Sequence, residues 1–200
     1  VRAFDYNSNS WETLSDVGTS NVWGISAYDM ESDRIIYFDY SAGSADIEAY
    51  NYGTDTWETM ESTFSGSSVW TTVAYDIESD KIIIVTYNAG SSYVYGYDYN
   101  TDTIETLNAL GNVTGSWATS AYDYNSDRII LIGYHNGSGS TDNVRAFDYN
   151  SNSWETLSDV ETSNVSGESA YDVESDRIVY FDYSTGSADI KAYDYGTDTW

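Results

Sequence analysis

The chain has 200 residues, no cysteine, and 33 acidic against 7 basic residues, which gives a formal net charge of −26. This charge opposes binding to nucleic-acid phosphates and anionic lipids, and the lack of cysteine excludes disulfides and thiolate-ligated metals. The sequence has no run of about 18 apolar residues that would predict a membrane-spanning helix. Its 21 tyrosines and 7 tryptophans favour a folded, strand-rich chain over disorder.

Two hairpin motifs alternate along the chain. The first reads AFDYNSNSWETL in its first copy and lies at Ala3–Leu14, Ala49–Met60, Gly96–Leu107, Ala146–Leu157 and, shortened, Ala192–Trp200. The second reads AYDMESDRIIYFDY in its first copy and lies at Ala27–Tyr40, Ala74–Tyr87, Ala121–Tyr134 and Ala170–Tyr183. β-Branched and aromatic residues fill both motifs, and Asn, Asp, Gly and Ser bound them, so the pattern predicts strands joined by tight turns.

The spacing of the second motif predicts the fold. Tyr28, Tyr75, Tyr122 and Tyr171 are separated by 47, 47 and 49 residues, and each interval contains four predicted strands. Four strands in a repeat of this length are typical of a propeller blade, whereas a β-solenoid, the alternative, has shorter rungs. The predicted fold is all-β: a β-propeller with a half blade at 1–14 and four complete blades at about 23–60, 69–107, 117–158 and 166–200.

A longer repeat is superimposed on the blades. Residues 1–57 and 144–200 differ at only eight positions, and their offset of 143 residues corresponds to three blades. The chain also begins and ends within a repeat. We therefore expect a processed or partial piece of a longer protein, either a six-bladed ring or an extended array.

The order of these motifs resembles that of the kelch and galactose-oxidase-like propellers. The resemblance covers the whole chain and rests on a strand, the turn YD-x-E-S-D-R, a second strand, and a hairpin of the form Tyr/Phe-Asp-x-x-x-Asp/Asn-x-Trp. In one departure, that family's glycine doublet is replaced by Asp39-Tyr40, Thr86-Tyr87, Gly133-Tyr134 and Asp182-Tyr183. Copper-radical chemistry of the galactose-oxidase kind requires a cysteine crosslink and more than one histidine, which this chain lacks.

The turns after the first and third strands of each blade are predicted on one face, which becomes strongly anionic. Their alternate oxygens are spaced as in calcium loops, and the candidate Ca²⁺ ligands are Asp29, Glu31, Asp33, Asp76, Glu78, Asp80, Asp98, Asn100, Asp102, Asp123, Asn125 and Asp127. Asp and Asn also initiate tight turns by bonding to their own backbone. Because the loops lack the glycine and the distal bidentate acid of a calcium loop, turn chemistry is the default interpretation, and no other cofactor is expected.

The opposite face is predicted to be neutral and rich in hydroxyl groups. Trp23, Trp70 and Trp117 lie five residues before the hairpin tyrosine, where indoles can stack on glycans or close the gap between blades. Asn112, Asn136 and Asn164 begin Asn-x-Ser/Thr sequences in loops of this face. They would be N-glycosylated in a secreted protein that follows a glycosylating route.

The residue types do not supply a recognisable catalytic constellation. His135 is the only histidine, and acidic pairs recur in every blade instead of marking one site. We therefore predict a non-enzymatic, extracellular or cell-surface propeller scaffold with a structural or adhesive role, which assembles with itself into oligomers or filaments. The alternatives are a carbohydrate-binding, lectin-like propeller and, third, an acidic-pair glycoside hydrolase. Neither nucleic-acid binding nor membrane insertion is expected.

Overall fold

The computed structural model describes residues 1–18, 24–39, 45–64, 71–88, 91–111, 118–133, 144–160, 167–183 and 189–200. These residues form seventeen β-strands joined by tight turns and short connections. The described ranges contain no helix of the length and apolarity needed to cross a membrane.

The strands form five antiparallel sheets that follow one another in chain order. The N-terminal hairpin pairs β1 (Arg2–Asp5) with β2 (Ser10–Thr13). Sheet 1 contains β3 (Gly24–Asp29), β4 (Arg34–Asp39), β5 (Ala45–Asn51) and β6 (Thr56–Phe64). Sheet 2 contains β7 (Thr71–Asp76), β8 (Lys81–Asn88), β9 (Ser91–Asp98) and β10 (Thr103–Leu107). Sheet 3 contains β11 (Thr119–Asp123), β12 (Arg128–Ile132), β13 (Val144–Asp148) and β14 (Ser153–Thr156). Sheet 4 contains β15 (Gly167–Asp172), β16 (Arg177–Asp182) and β17 (Asp189–Tyr193).

Sheets 1 to 3 are four-stranded meanders, and sheet 4 differs from the predicted complete blade. Beyond its three strands, the described residues of sheet 4 add a single bridge between Asp194 and Thr199. In sheet 1, β6 continues past the predicted end at Met60, with a register shift opposite Asp46 and Glu48. Such an irregularity bends a strand locally, and the extension brings Phe64 into the core.

The two kinds of hairpin turn share one backbone feature, a last residue in the left-handed conformation. The last residue of every described turn has a φ between 48° and 56°, at Asn9, Asp33, Asp55, Asp80, Asp102, Asp127, Asn152, Asp176 and Asp198. Asn and Asp tolerate this left-handed conformation better than other residues with a side chain. This requirement explains why each motif ends its turn with Asp or Asn.

The hydrophobic core lies between neighbouring sheets. We call the side of a sheet that packs on the following sheet its forward face, and the other side its rear face. The forward face of sheet 1 presents Ile36, Phe38, Ile47 and Ala49 to the rear face of sheet 2, which presents Ile82, Ile84, Tyr95 and Tyr97. Sheets 2 and 3 and sheets 3 and 4 enclose two further clusters of the same kind. Every sheet therefore depends on its neighbours for burial of its apolar residues.

The first strands β3, β7, β11 and β15 pack side by side in that order. Hydroxyl groups join them, with 2.8 Å between Thr72 Oγ1 and Ser120 Oγ and 3.0 Å between Thr119 Oγ1 and Ser169 Oγ. The four sheets thus radiate from these inner strands. The arrangement gathers the four copies of the Ala-Tyr-Asp motif and the turns that follow them.

Candidate functional site

The last acid of each turn after a first strand accepts a hydrogen bond from the motif tyrosine. The Tyr75 phenol donates to Asp80 Oδ1 at 2.7 Å, and burial followed by this bond raises the pKa of Tyr75. The equivalent bonds join Tyr28 to Asp33, Tyr122 to Asp127 and Tyr171 to Asp176. These carboxylates therefore close their own hairpins.

The first acid of the same turns accepts backbone N–H groups. Asp76 is buried, and its Oδ1 accepts the amides of Glu78 and Ser79 at 3.1 Å each. Burial raises the pKa of Asp76, and the two amide bonds act in the opposite direction. Asp29 and Asp123 are buried in the same way and bond to amides of their own turns.

The middle acid is directed to the following sheet. The Glu31 amide donates to the Tyr75 hydroxyl at 3.4 Å. The Glu31 carboxyl lies in hydrogen-bond contact with Asp80, and this contact between two acids raises the pKa of Glu31. Asn125 replaces the acid in sheet 3, and its side chain bonds to Asp176, which lowers the pKa of that carboxyl.

Most of the predicted calcium ligands are bonded to separate partners, and the exception is Asp80, which contacts both Glu31 and Asn100. In the turn after the third strand of sheet 2, each of the three candidate ligands has a different partner. Asp98 contacts Lys81 at 2.6 Å. Asn100 donates to Asp80, and Asp102 accepts from Tyr97. Across the described ranges, no three acidic or histidine side chains form a group able to hold a metal ion. The first and last acids make the hydrogen bonds of turn residues, and calcium binding stays a prediction.

The basic residue after each first-strand turn is bonded within its own sheet. Arg128 and Arg177 each lie 3.0 Å from an aspartate of the turn after the third strand, Asp148 and Asp194 respectively. Lys81 pairs with Asp98 in the same manner. Arg34 instead donates to the carbonyl groups of Ser32 and Asp33.

A cavity of about 820 Å³ lies between the inner strands. Each of sheets 1 to 4 contributes the same four positions: a Ser or Val, the motif alanine, the motif tyrosine, and the residue that follows the first acid of the turn. That last position is Met30, Ile77, Tyr124 or Val173. We call these four residues the mouth residues, and each is flanked in the sequence by acidic residues of its turn, or by an acid and Asn125 in sheet 3.

The mouth residues were missed by reasoning from the acidic pattern. Met30, Tyr124 and Val173 are more than half exposed, and Ile77 is half-buried. The sequence did contain a signal for them. The residue directly after the first acid of the turn is apolar or aromatic in all four copies, whereas the other turn residues are polar. The four residues line one opening, and contiguous apolar patches, unlike single exposed residues, are typical of interaction surfaces.

Several predicted sites lie outside the described residues. They are the candidate glycan-stacking residues Trp23, Trp70 and Trp117, the glycosylation candidates Asn112, Asn136 and Asn164, and the single histidine His135. By contrast, Trp57, Trp154 and Trp200 are described. Each donates its indole N–H to a carbonyl group of the preceding unit, at Ser15, Asn108 and Ser158 respectively, which is a structural contact.

The two ends of the row of sheets expose residues that are buried inside it. Ile190 on the forward face of sheet 4 is 68% exposed, whereas its equivalent Ile47 in sheet 1 is 0% exposed. Ile35 on the rear face of sheet 1 is 37% exposed, whereas its equivalent Ile178 in sheet 4 is 1% exposed. The residue types are identical within each pair, so the difference arises from the surroundings: a neighbouring sheet covers Ile47 and Ile178, and Ile47 also has β6 of its own sheet beside it.

The architecture is an all-β, propeller-type fold, which confirms the predicted fold class. Similar solved structures include TolB from Acinetobacter baumannii, with 14% identity and a TM-score of 0.69 over 99% of this chain and 47% of that one. A nidogen/laminin complex matches with 12% identity and a TM-score of 0.70 over 99% of this chain and 68% of that one. A protein of unknown function from Bacteroides thetaiotaomicron VPI-5482 matches with 11% identity and a TM-score of 0.57 over 81% of this chain and 38% of that one.

These likenesses show the fold alone, because the sequence identities are low. The chain spans about half the length of the TolB chain it matches. No protein-family model matches the sequence, and no curated protein is significantly similar to it. The number of blades in a complete ring stays a prediction.

Proposed function

We propose that this chain is a non-enzymatic propeller scaffold that associates head to tail with copies of itself. In this proposal the forward face of sheet 4 in one copy packs against the rear face of sheet 1 and the N-terminal hairpin of the next. The observation that supports it is the exposure of residues at the two ends whose identical counterparts form the core between sheets. We also propose that the blades are of the kelch type and that the protein acts outside the cell or at its surface.

The forward face of sheet 4 has the composition of a surface that this fold buries. Phe181, like Ile190, is exposed, whereas its equivalent Phe38 is buried between Phe64 of its own sheet and Tyr97 of sheet 2. Full burial of such a side chain stabilises a protein by about 1.5–3 kcal/mol relative to exposure. Covering this face with a further blade is therefore favourable.

The other end supplies a complementary surface. Phe4 in the N-terminal hairpin is 45% exposed, whereas Phe147, in the identical sequence VRAFDYNSNSWETL, is 0% exposed. Strand β13 also pairs with β12, while β1 has β2 as its only partner among the described strands. The unpaired edge of β1 can accept a strand of another chain.

The two end surfaces differ from each other, so their contact is heterologous. Contacts of this kind produce either closed rings or open filaments, according to the rotation between successive copies. The net charge of −26 makes copies repel one another. Because salt screens repulsion between exposed charges, association should strengthen as salt is raised.

Sedimentation velocity over a range of protein and NaCl concentrations tests the proposal. We expect the average mass to rise with both, and we expect Ile190→Asp and Ile35→Asp each to block extension by charging one end. A mixture of these two variants retains one competent end of each kind and should form dimers and no larger species. Tyr124→Ser is the matched control, because it changes an exposed residue away from both ends, and it should assemble like the unaltered chain.

Each variant must first give the cooperative thermal melt of a folded protein. A chain that stays monomeric at every concentration and salt level would contradict the proposal. Dimers formed by Ile35→Asp alone would show that two forward faces pair with each other, and would replace the head-to-tail arrangement.

A further inference from the structure

We propose that the mouth of the central cavity binds a cationic segment of another protein. A bulky apolar side chain of that segment enters between the mouth residues, and its lysine or arginine side chains face the surrounding carboxylates. This binding site is separate from the end faces and does not depend on self-association. The argument rests on the apolar mouth residues, the cavity beneath them and the charge around them.

The apolar part of the site is built into the repeat. Met30, Tyr124 and Val173 are exposed although each sits one residue after a buried aspartate or its equivalent, in turns whose other positions are polar. Their side chains line a cavity of about 820 Å³ together with the motif alanines and tyrosines. Pockets of roughly 300–1,000 Å³ accommodate small molecules or several side chains. The space is therefore sufficient for an inserted apolar residue.

The charge around the mouth selects a cation. The four turns at 29–34, 76–81, 123–128 and 172–177 carry eleven acidic and four basic residues. The basic residues Lys81, Arg128 and Arg177 are already paired with aspartates, and Arg34 is bonded to backbone carbonyl groups. Glu31, Glu78 and Glu174 are exposed next to the mouth residues. Fields of one sign around an apolar patch steer partners of the opposite sign to it.

The same charge argues against the other occupants. A second copy would bring an equally acidic mouth to the site, and like charges at close range disfavour such a contact. A neutral sugar can donate hydroxyl groups to individual carboxylates, but it does not neutralise their combined charge. A peptide segment with both lysine and leucine, in contrast, satisfies the apolar and the acidic parts at once.

Fluorescence polarisation with three labelled peptides of equal length tests the proposal. One contains lysine and leucine, the second lysine and serine, and the third glutamate and leucine. In about 0.15 M NaCl, where exposed charges are partly screened, we expect saturable binding of the lysine–leucine peptide. The lysine–serine peptide should bind about tenfold more weakly, because the apolar anchor of the contact is missing, and the glutamate–leucine peptide should not bind.

Variants of the chain then locate the contact. The double variant Tyr124→Ser, Val173→Ser should weaken binding of the lysine–leucine peptide about tenfold, as loss of central anchors does in other interfaces. The matched control Tyr6→Ser removes an exposed tyrosine of the N-terminal hairpin and should leave binding unchanged. Equal binding of the first two peptides, or an unaltered affinity of the double variant, would overturn the proposal and show attraction to the acidic surface in general.

Discussion

Tyr97 and Asp102 are joined across one hairpin turn, with 3.1 Å between the phenol oxygen and Asp102 Oδ1. The other carboxylate oxygen of Asp102 accepts the amide of Glu61 from the preceding sheet at 2.8 Å. At the equivalent place in sheet 3 the residues are Phe147 and Asn152, and the single amide oxygen of Asn152 accepts the amide of Asn108. An aspartate thus ends the turn where a tyrosine donates to it, and an asparagine ends the turn where phenylalanine replaces that tyrosine.

This relationship predicts a coupling between two substitutions in sheet 2. Tyr97→Phe and Asp102→Asn should each lower the free energy of unfolding by about 1 kcal/mol, because each loses one hydrogen bond. The double variant should lose less than the sum of the two, by about 1 kcal/mol, since it reproduces the Phe147–Asn152 arrangement. Urea unfolding of the four proteins measures the coupling, and strict additivity would contradict it.

Two hydrogen-bonded tyrosines predict a loss of stability in alkaline solution. Burial, followed by the bonds to Asp55 and Asp176, raises the pKa of Tyr50 and Tyr171 to about 12. A group with a raised folded-state pKa contributes stability that is complete below its unfolded pKa of about 10 and is lost as the pH rises through the folded value. The melting temperature should therefore fall from about pH 10 upward. Tyrosinate absorbance should show these phenols ionising together with unfolding, and early, independent titration would be the contrary result.

Gly167 is predicted to be intolerant of a side chain. A Cβ at this position would lie 2.1 Å from the carbonyl oxygen of Phe181 in the paired strand β16. Gly167→Ala should therefore lower the free energy of unfolding by about 1–3 kcal/mol, as overpacking does elsewhere. Gly53→Ala is the matched control, since its nearest contact would be an ordinary 3.4 Å to Asn51 Oδ1. Equal melting temperatures for the two variants would refute this account of Gly167.

Because the turn acids are bonded to different partners, we predict that calcium does not change the stability of the protein. We expect neither added Ca²⁺ nor EDTA to shift the melting temperature, because the first acids bond to turn amides and the last acids to tyrosines. Differential scanning fluorimetry at constant ionic strength provides the measurement, with Mg²⁺ as the control for screening. A saturable rise of the melting temperature with Ca²⁺ alone would restore the calcium-loop interpretation.

The two proposed interactions should respond to added salt in opposite directions. Self-association through the end faces opposes the net charge and should strengthen with added salt, whereas binding of a cationic peptide at the mouth should weaken. The two effects are measured on the same protein, by sedimentation and by polarisation. If both interactions respond to salt in the same direction, one of the two assignments is wrong.

The fold was predictable because three independent features of the sequence indicate the same strands and turns. The turn residues, the strand composition and the spacing of Tyr28, Tyr75, Tyr122 and Tyr171 all predict the same hairpins, and the sheets follow them. The extension of β6 to Phe64 was not predictable, since it depends on an irregular register opposite Asp46 and Glu48. Local sequence patterns do not reveal such tertiary adjustments.

The site was predictable only in part. The alternating acids were visible, but carboxylates with the spacing of metal ligands also serve as turn caps, and the spacing alone did not distinguish the two roles. The five-residue interval from Tyr97 to Asp102, replaced together by Phe147 and Asn152, was a readable signal of their contact. The mouth residues required knowledge that the four first strands meet.

The placement of each core between sheets has a mechanical consequence. A blade that is pulled from the end of the row loses its entire apolar contact in one step, while the remaining blades keep theirs. Stretching the chain from its two ends should therefore release it in separate events, each freeing one repeat of 47 to 49 residues. At about 3.4 Å per extended residue, each event lengthens the molecule by about 160 Å. A material built from this repeat would yield stepwise under load and dissipate energy before it breaks.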